Sequence, residues 1–200
     1  MVTIGLTGPS GAGKGAVGEI LRRHGFVVID SDEVYHKIIS KPGDCVTELA
    51  NTFGVEIICE DGSLNRAELA KIVFEEGNGH KLKALNEITH KYVVREIREM
   101  IVSLRCAMPA ACVIDAPLLF EAGLEKDCAF TIAVLANKYT RAERIAIRDK
   151  ITREQALARI SAQKADEFYI SQSNYVIYND GDYSSLHCRV NDILKDRRML

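Results

Sequence analysis

A glycine-rich segment near the start of the chain has the residue types and spacing of a phosphate-binding loop. It spans Gly8–Gly15 with the sequence GPSGAGKG, and it lies between an apolar run at Val2–Thr7 and a helical pattern at Ala16–Leu21. The glycines let several backbone N–H groups point into one concavity, and the N-terminus of the following helix adds partial positive charge there. Lys14 can then reach the outer phosphates of a nucleoside triphosphate. The segment therefore predicts a strand–loop–helix nucleotide site.

The loop departs from the usual pattern directly after its lysine. A Ser or Thr hydroxyl at that position normally binds Mg²⁺, whereas Gly15 and Ala16 follow Lys14 here. The metal must then be held by carboxylates, phosphates and water, or more weakly by another hydroxyl such as that of Ser10. Because Mg²⁺ commonly keeps several waters, we expect a usable but weaker metal site.

Acidic residues follow two further apolar runs. Asp30 and Asp32 come after the run at 26–29, and Asp115 comes after the run at 111–114. Phosphoryl transfer needs one carboxylate to orient and deprotonate the accepting hydroxyl, and others to hold Mg²⁺. We expect Asp30 and Asp32, two residues apart on an extended end, to point to the same side and face the phosphate loop.

Each acidic segment also has a purely structural interpretation. Ser31 or Asp32 could cap a helix that begins near Glu33. Asp115 could belong to ordinary turn chemistry, since Asp-x-Pro is common where a strand ends. One of Asp30 and Asp32 could orient the hydroxyl and the other could hold Mg²⁺, and Asp115 is a further metal-associated carboxylate. We expect Asp30 and Asp115 to act on the metal through water.

Composition limits the class of protein. The chain has 200 residues, 47% of them hydrophobic, and a formal net charge of −2, which argues against non-specific nucleic-acid binding. Its apolar runs are too short to span a membrane, and no basic leader precedes the first strand, so we expect a cytoplasmic enzyme. Six cysteines lack metal-ligand spacing and are expected to be reduced thiols: Cys45, Cys59, Cys106, Cys112, Cys128 and Cys188.

Five short apolar runs predict an α/β fold with a parallel sheet of about five strands covered by helices on both faces. We expect one P-loop kinase-type domain over residues 1–200, with a core at about 1–32, 106–138 and 173–200. A helical insertion at about 33–105 could bind a substrate, or could simply add packing. The five runs are residues 2–7, 26–29, 111–114, 130–135 and 175–178.

Helical patterns occupy both long connections. In the insertion, Asp61-Gly62 predicts a turn and Ser63 a cap for the next helix, and apolar residues then recur at helical spacing between Leu82 and Leu104. A helical pair at about 139–172 carries three arginines on one face, Arg141, Arg144 and Arg148. This face is either an exposed basic surface or a lid that closes over the triphosphate.

Taken together, the motifs resemble those of the dephospho-CoA kinase family, whose members use ATP to phosphorylate the ribose 3′-hydroxyl of dephospho-CoA in the last step of coenzyme A synthesis. The resemblance covers residues 4 to about 181. Besides the phosphate loop and Asp30–Asp32, it rests on four segments: residues 61–66 (DGSLNR), 115–121 (DAPLLFE), 159–163 (RISAQ) and 176–181 (VIYNDG).

The resemblance implies a role for individual residues, with ATP and Mg²⁺ as donor and cofactor and with dephospho-CoA as acceptor. Asp32, Lys14 and Arg144 would be catalytic, with Arg144 on the transferring phosphate. Dephospho-CoA would be bound by Asp32, Arg66, His90, Asp115, Pro117 and Leu118. ATP would be bound by Gly11, Ala12, Gly13, Lys14, Gly15, Ala16, Arg144, Asn179 and Gly181.

This sequence differs from the family pattern at three places, and two other functions remain open. The family normally has Lys-Ser in the loop, His-Pro in the substrate helix and an aspartate at the position of Asn174. Here Gly15 follows Lys14, and Lys91 follows His90. A cytidylate-like nucleoside monophosphate kinase is one alternative, because its loop is similar. A nucleotide-binding regulator that has lost activity is the other.

Overall fold

A computed structural model describes residues 1–75, 79–107 and 109–200. Within these residues, five strands form one sheet in the order β2-β3-β1-β4-β5, and the pairs β1–β3, β1–β4 and β4–β5 are parallel. The predicted parallel α/β sheet is confirmed. The strands are β1 (Val2–Thr7), β2 (Val27–Asp30), β3 (Ala111–Asp115), β4 (Phe130–Leu135) and β5 (Tyr175–Tyr178).

Helices fill the connections between the strands. The described residues contain α1 (Lys14–Arg23), α2 (Ser31–Ile39), α3 (Asp44–Phe53), α4 (Arg66–Phe74), α5 (Gly79–Ala107), α6 (Lys138–Asp149), α7 (Arg153–Ser161), α8 (Asp166–Gln172) and α9 (Tyr183–Asp196). Short 3₁₀ turns lie at Val55–Ile57 and Leu124–Asp127. None of the described helices is both long enough and apolar enough to cross a membrane.

Residues 1–29 and 104–200 make up one compact unit, which contains the sheet except for Asp30, the last residue of β2. Its core packs β1, β3 and β4 against α1 and α9, with Ile4, Leu6, Ile20, Ile132 and Val190 all buried. The strands are apolar on both faces because helices cover both, as their continuous apolar runs predict. This core holds the start of α1, and with it the phosphate loop, rigidly against the sheet.

Residues 30–103 make up a second compact unit with its own core. That core joins α3, α4 and α5 through buried residues that include Val46, Leu49, Leu69 and Tyr92. The long helical pattern of the sequence is confirmed by the 29-residue helix α5. The unit occupies residues 30–103, where the sequence indicates an insertion at about 33–105, and its role in binding a substrate stays a prediction.

Two predicted helix starts are wrong, each because a neighbouring side chain makes the cap. Helix α2 begins at Ser31, and the Asp30 carboxylate accepts hydrogen bonds from the backbone N–H groups of Asp32 and Glu33. Likewise α4 is capped by Asn65, whose amide oxygen accepts from the backbone of Glu68. An earlier cap at Ser63 is excluded because its hydroxyl donates to Asp61 within the predicted turn.

The connection between β4 and β5 holds three helices instead of the predicted pair. Helices α6 and α7 pack through a small apolar cluster of Ala142, Ile145, Ala156 and Ile160. Thr152 and Gln155 form a capping box that starts α7. The third helix, α8, follows Gln163 and leads into β5.

Candidate active site

Three glycines shape the turn between β1 and α1. Gly8, Gly11 and Gly13 have φ values of +141°, +79° and +98°, a region in which L side chains are strained. A Cβ on Gly8 would lie 2.2 Å from the backbone oxygen of Val134, and one on Gly13 would lie 2.0 Å from Nδ2 of Asn179. The glycines are therefore required both for the backbone angles and for the space.

The N-terminus of α1, which is the electrostatically positive end of the helix, faces the phosphate loop. Gly13 is the N-cap in a left-handed conformation, and no acidic residue lies in the first turn. The partial positive charge of the helix N-terminus is thus not offset locally, which suits an anionic ligand. Lys14 forms an ion pair with the carboxylate of Asp115 at the end of β3, with side chains 19% and 7% exposed. The strand-end aspartate and the loop lysine predicted from the sequence are therefore direct neighbours.

Side chains behind the loop bind its backbone carbonyl groups. Arg141 Nε donates to the Ser10 oxygen at 3.0 Å. Arg144 Nη1 donates to the Gly11 and Ala12 oxygens, both at 3.3 Å. Asn179 Nδ2 also donates to the Ala12 oxygen, at 2.9 Å. In a trans peptide the N–H points away from the preceding C=O, so these bonds turn the following N–H groups toward the opposite side of the loop.

The three arginines of α6 do not share one environment. Arg141 is buried, and burial lowers the pKa of its guanidinium. Arg144 is half-buried and also donates to the backbone oxygen of Asn179, at 3.0 Å. Arg148 is exposed, and its Nη2 lies 3.2 Å from Oγ of Ser10. The interpretation of this face as a plain solvated surface is wrong for Arg141, because it is buried and its hydrogen bonds go to the Ser10 carbonyl and to the side chains of Gln163 and Asp166.

A carboxylate pairs two arginines of the helical segment. Asp149 accepts from Arg148 Nε at 2.7 Å and from Arg159 Nη1 at 2.6 Å. These contacts hold the pKa of Asp149 below its usual value, and the hydrogen bond from Arg148 has the largest effect. The cluster places an anion between two cations at one end of α6, beside the phosphate loop.

The segment after β5 supports the loop from the other side. Asn179 is buried, and its backbone N–H donates to the Leu135 oxygen at 2.7 Å. Asp180 accepts from the backbone N–H of Asn137, the N-cap of α6. Gly181 is exposed, so the predicted adenine-binding segment begins directly beside a residue that holds the loop.

The chain leaves β3 through Pro117 and Leu118. Thr7 Oγ1 donates to the Pro117 oxygen at 3.2 Å, which fixes this corner against the end of β1. Leu118 is exposed, with 42% of its surface accessible. An exposed leucine beside Asp115 is available to an apolar part of a ligand, as the sequence predicts for the acceptor.

The carboxylate predicted to be catalytic, that of Asp32, lies in the second unit. Asp32 is exposed in the first turn of α2, and its backbone N–H is bound by Asp30. The expectation that both carboxylates extend to the same side is wrong, because the helix starts at Ser31 and Asp30 turns back to cap it. Asp32 thereby presents its carboxylate from a fixed helical position.

The predicted acceptor residues of the second unit lie on its helices. Arg66 is the first residue of α4, exposed, and its Nη1 lies 3.4 Å from Nδ1 of His36. Because His36 and Asp32 are four residues apart in α2, both lie on the same helix face. Burial raises the pKa of the neighbouring Tyr35, and the charge of Arg66 opposes that rise. His90 is half-buried in α5, and the next residue, Lys91, forms an ion pair with Glu48.

Metal ligands are sparse in the described part of the chain. No group of three or more His, Cys, Asp or Glu side chains there could hold a metal ion. Asp115 is engaged by Lys14, and one oxygen of Asp30 is engaged by the helix cap. The hydroxyl of Ser10, considered as a weak substitute ligand, lies beside the Arg148 cation, which disfavours Mg²⁺ there.

The difference from the family pattern at Asn174 has a structural explanation. Its Oδ1 accepts from the backbone N–H of Thr131 at 2.8 Å and from the Thr131 hydroxyl at 3.1 Å. Either a carboxylate or an amide oxygen can accept these bonds. The asparagine therefore joins the chain before β5 to β4, and its amide preserves that contact.

Two residues at the site were given no individual role from the sequence. Gln163 accepts from the Ser10 N–H, and Arg141 binds both Gln163 and the Ser10 oxygen. The sequence offers a signal for each, since Arg141 belongs to the spaced arginines and Gln163 ends the RISAQ segment. Their joint contact with one residue, Ser10, depends on the fold and could not be deduced from spacing.

Comparison with known proteins identifies the family. The sequence profile described as dephospho-CoA kinase matches residues 2–185. A protein named dephospho-CoA kinase from Carboxydothermus hydrogenoformans is 38% identical over 192 residues, which cover 96% of this chain and 92% of that protein. Another of the same name, from Lactobacillus johnsonii, is 33% identical over 193 residues and 96% of each chain.

Solved structures agree on the fold. The structure of TT1252 from Thermus thermophilus superposes with a TM-score of 0.78 at 31% identity, covering 98% of this chain and 97% of that one. Dephospho-CoA kinase from Campylobacter jejuni gives a TM-score of 0.71 at 24% identity, covering 98% and 96%. Shikimate kinase from Bacteroides thetaiotaomicron gives 0.59 at 16% identity, covering 98% of each chain, and shares the P-loop kinase fold.

Proposed function

The chain belongs to the dephospho-CoA kinase family, and we propose that it transfers the γ-phosphoryl group of ATP to the ribose 3′-hydroxyl of dephospho-CoA, giving CoA and ADP. The observation that carries this function is the family match over residues 2–185. The geometry of the phosphate loop supports it, because a loop turned by three glycines leads into a helix N-terminus whose first turn lacks acidic residues.

Residues of the first unit bind the phosphate donor, ATP. The amides of residues 11–16 and Lys14 bind the phosphates of ATP. Arg144 neutralises charge on the transferring group once its guanidinium leaves the Gly11 and Ala12 oxygens that it binds in this structure. Lys14 reaches the phosphates from its ion pair with Asp115, which keeps the ammonium group beside the loop. The loop fits a polyphosphate because its carbonyl groups are bound from behind by Arg141, Arg144 and Asn179.

Residues of the second unit and of the corner after β3 bind the acceptor, dephospho-CoA. Asp32 orients the 3′-hydroxyl and accepts its proton as the oxygen forms its bond to the γ-phosphorus. The bond from that phosphorus to the bridging oxygen breaks, and ADP leaves with the electron pair. Arg66 and His90 bind the anionic and polar parts of dephospho-CoA, and Pro117 and Leu118 contact it at the end of β3.

The residues present fit Mg²⁺ only as a sparsely held ion. Asp30 and Asp115 are the carboxylates assigned to it, acting through coordinated water, since Mg²⁺ gives up its waters reluctantly. The ion, when bound with ATP, supplies charge neutralisation on the β- and γ-phosphates. A glycine follows Lys14, so the loop itself adds no hydroxyl ligand at that position.

An acceptor panel tests the reaction. The protein is incubated with ATP and Mg²⁺ and with dephospho-CoA, CMP or AMP in parallel, and the products are identified by mass spectrometry. We expect dephospho-CoA to have by far the highest kcat/KM. A higher value for CMP or AMP would instead identify a nucleoside monophosphate kinase. Nucleotide binding without transfer to any acceptor would identify a regulator.

Substitution of Asp32 tests the assignment of the hydroxyl-orienting group. We expect Asp32→Asn to lower kcat by about 10²-fold or more while ATP affinity stays near that of the wild type. The matched control is Glu33→Gln, which removes the same charge from the next exposed residue of α2 and should keep kcat. Lys14→Ala should weaken ATP binding and lower kcat together. Near-normal kcat for Asp32→Asn would limit Asp32 to a structural role.

A further inference from the structure

A buried arginine and a glutamine bind both backbone groups of one residue in the phosphate loop. Arg141 is 4% exposed, and its Nε donates to the Ser10 oxygen at 3.0 Å. The Ser10 N–H donates to Oε1 of Gln163 at 3.1 Å. The same Oε1 accepts from Arg141 Nη2 at 2.8 Å. The three residues thus form a closed ring of hydrogen bonds, which we call the Ser10 clamp.

The Ser10 clamp fixes the direction of an amide on the ligand side of the loop. The Ser10 carbonyl and the Gly11 N–H belong to one planar trans peptide, so holding the oxygen sets the direction of that N–H. Packing adds to this restraint, because a Cβ on Gly11 would lie 2.7 Å from the backbone oxygen of Arg141. The first amide of the predicted phosphate cradle is therefore oriented from α6.

Packing of the helices does not explain why a cation is buried here. Helices α6 and α7 already hold together through an apolar cluster that includes Ile145 and Ile160. Burial lowers the pKa of Arg141, and its ion pair with Asp166 is long, at 3.5 Å, and involves a partly exposed carboxylate. A buried cation whose ion pair is at the long end of hydrogen-bond distance is a costly way to join helices. Its short hydrogen bonds instead go to the loop and to Gln163.

We propose that Arg141 and Gln163 are positioning residues for nucleotide binding. They hold the phosphate loop in its binding shape before the nucleotide arrives, and they raise affinity for its phosphates without contacting them. Preorganisation of this kind strengthens binding by removing the cost of ordering the loop. The proposal rests on the proposed function only in that the loop binds the phosphates of ATP and ADP.

Direct binding of ADP tests the proposal without the acceptor. Calorimetric titration compares the wild type with Gln163→Leu, which keeps the size of the side chain and removes the shared acceptor. We expect ADP affinity to fall about tenfold, the equivalent of one or two lost hydrogen bonds. The matched control is Gln155→Ala, which removes the capping box of the same helix pair without touching the loop. It should lower the melting temperature and keep ADP affinity.

A double substitution identifies the shared target. Because Arg141 and Gln163 hold the same residue, Ser10, and are hydrogen-bonded to each other, Arg141→Met combined with Gln163→Leu should bind ADP about as weakly as the weaker single variant. If Arg141→Met does not fold, the ADP affinities of Gln163→Leu and Gln155→Ala still test whether the Ser10 clamp strengthens nucleotide binding. Wild-type ADP affinity in a folded Gln163→Leu protein, measured well below its melting temperature, would overturn the proposal and leave the clamp a purely structural contact.

The outcome is separable from that of the proposed function. A wild-type protein that binds ADP but does not phosphorylate dephospho-CoA would contradict the proposed reaction, and the ADP comparison would still report on the clamp. In an active enzyme, Gln163→Leu should raise KM for ATP about tenfold and leave KM for dephospho-CoA within about twofold of the wild type, since the clamp touches only the loop. An equal rise in both KM values would contradict the clamp.

Discussion

Gly15 offers a direct test of how the loop holds its metal. It is the second residue of α1 and is not among the glycines with positive φ. A Cβ there would meet nothing within 4 Å. The side chain of a serine therefore enters open space on an ordinary helical backbone, and Gly15→Ser introduces the hydroxyl that phosphate loops of this type normally carry.

The structure sets the size of the expected effects. Replacing glycine by serine within a helix gains roughly 0.5 kcal/mol, which corresponds to a rise of about 1–2 °C in the melting temperature of a protein this long. A hydroxyl that replaces one water on Mg²⁺ releases that water, which is worth up to about 2 kcal/mol. The Mg²⁺ concentration for half-maximal activity should therefore fall several-fold, with an upper limit of about thirtyfold.

The assay is a Mg²⁺ titration of kinase activity at saturating ATP and dephospho-CoA, with melting temperatures measured in parallel. Gly15→Ala is the matched control, because it gains helix stability without adding an oxygen. We expect both variants to melt at or above the wild-type temperature, and only Gly15→Ser to need less Mg²⁺. An unchanged Mg²⁺ requirement in a stable Gly15→Ser protein would refute the reasoning, since another oxygen would then already fill the position.

Three further outcomes follow from the structure. Gly13→Ala should lower the melting temperature and abolish most ADP affinity, because the new Cβ would displace Asn179. Gly25 also has a positive φ but a Cβ there would meet open space, so Gly25→Ala should lower only the melting temperature. The pKa of Glu48 is lowered, chiefly by its hydrogen bond from Lys91, so the stability that the Glu48 carboxylate contributes is lost as the pH falls. The wild type should therefore melt at a higher temperature than Glu48→Gln near neutral pH, and this difference should shrink below about pH 4. Burial raises the pKa of Cys128 to about 12, so alkylation at pH 8, followed by mass spectrometry, should label exposed cysteines well before Cys128.

Most of the fold could be predicted because its signals are local. The runs at 2–7, 130–135 and 175–178 coincide with β1, β4 and β5, since a strand buried on both faces is apolar throughout. The long helix α5 followed from periodicity in the same way. Cap residues were harder to predict, because Asp30 and Ser31 are both good caps and local preference cannot decide between adjacent candidates.

In the candidate site, too, the features set by consecutive residues could be predicted more easily than contacts between residues far apart in the sequence. The loop and Lys14 are encoded in eight consecutive residues, so their conformation and their place before α1 could be predicted. The pairing of Lys14 with Asp115 joins residues about one hundred positions apart, and it follows from the sequence only because β1 and β3 are neighbouring parallel strands. Parallel neighbours bring their carboxyl ends to one edge of a sheet.

The arginines of α6 show where periodicity stops being informative. Spacing correctly places Arg141, Arg144 and Arg148 on one helix face, but it carries no information about depth. Depth depends on what the rest of the fold brings against that face, and here it brings loop carbonyl groups against Arg141 and Arg144 and leaves Arg148 exposed. Nucleotide phosphates need N–H groups directed toward them, and each such N–H is attached to a carbonyl group directed away. A loop that binds anions on one side therefore needs cations or amides on the other, and the sequence provides them from α6 and from Asn179.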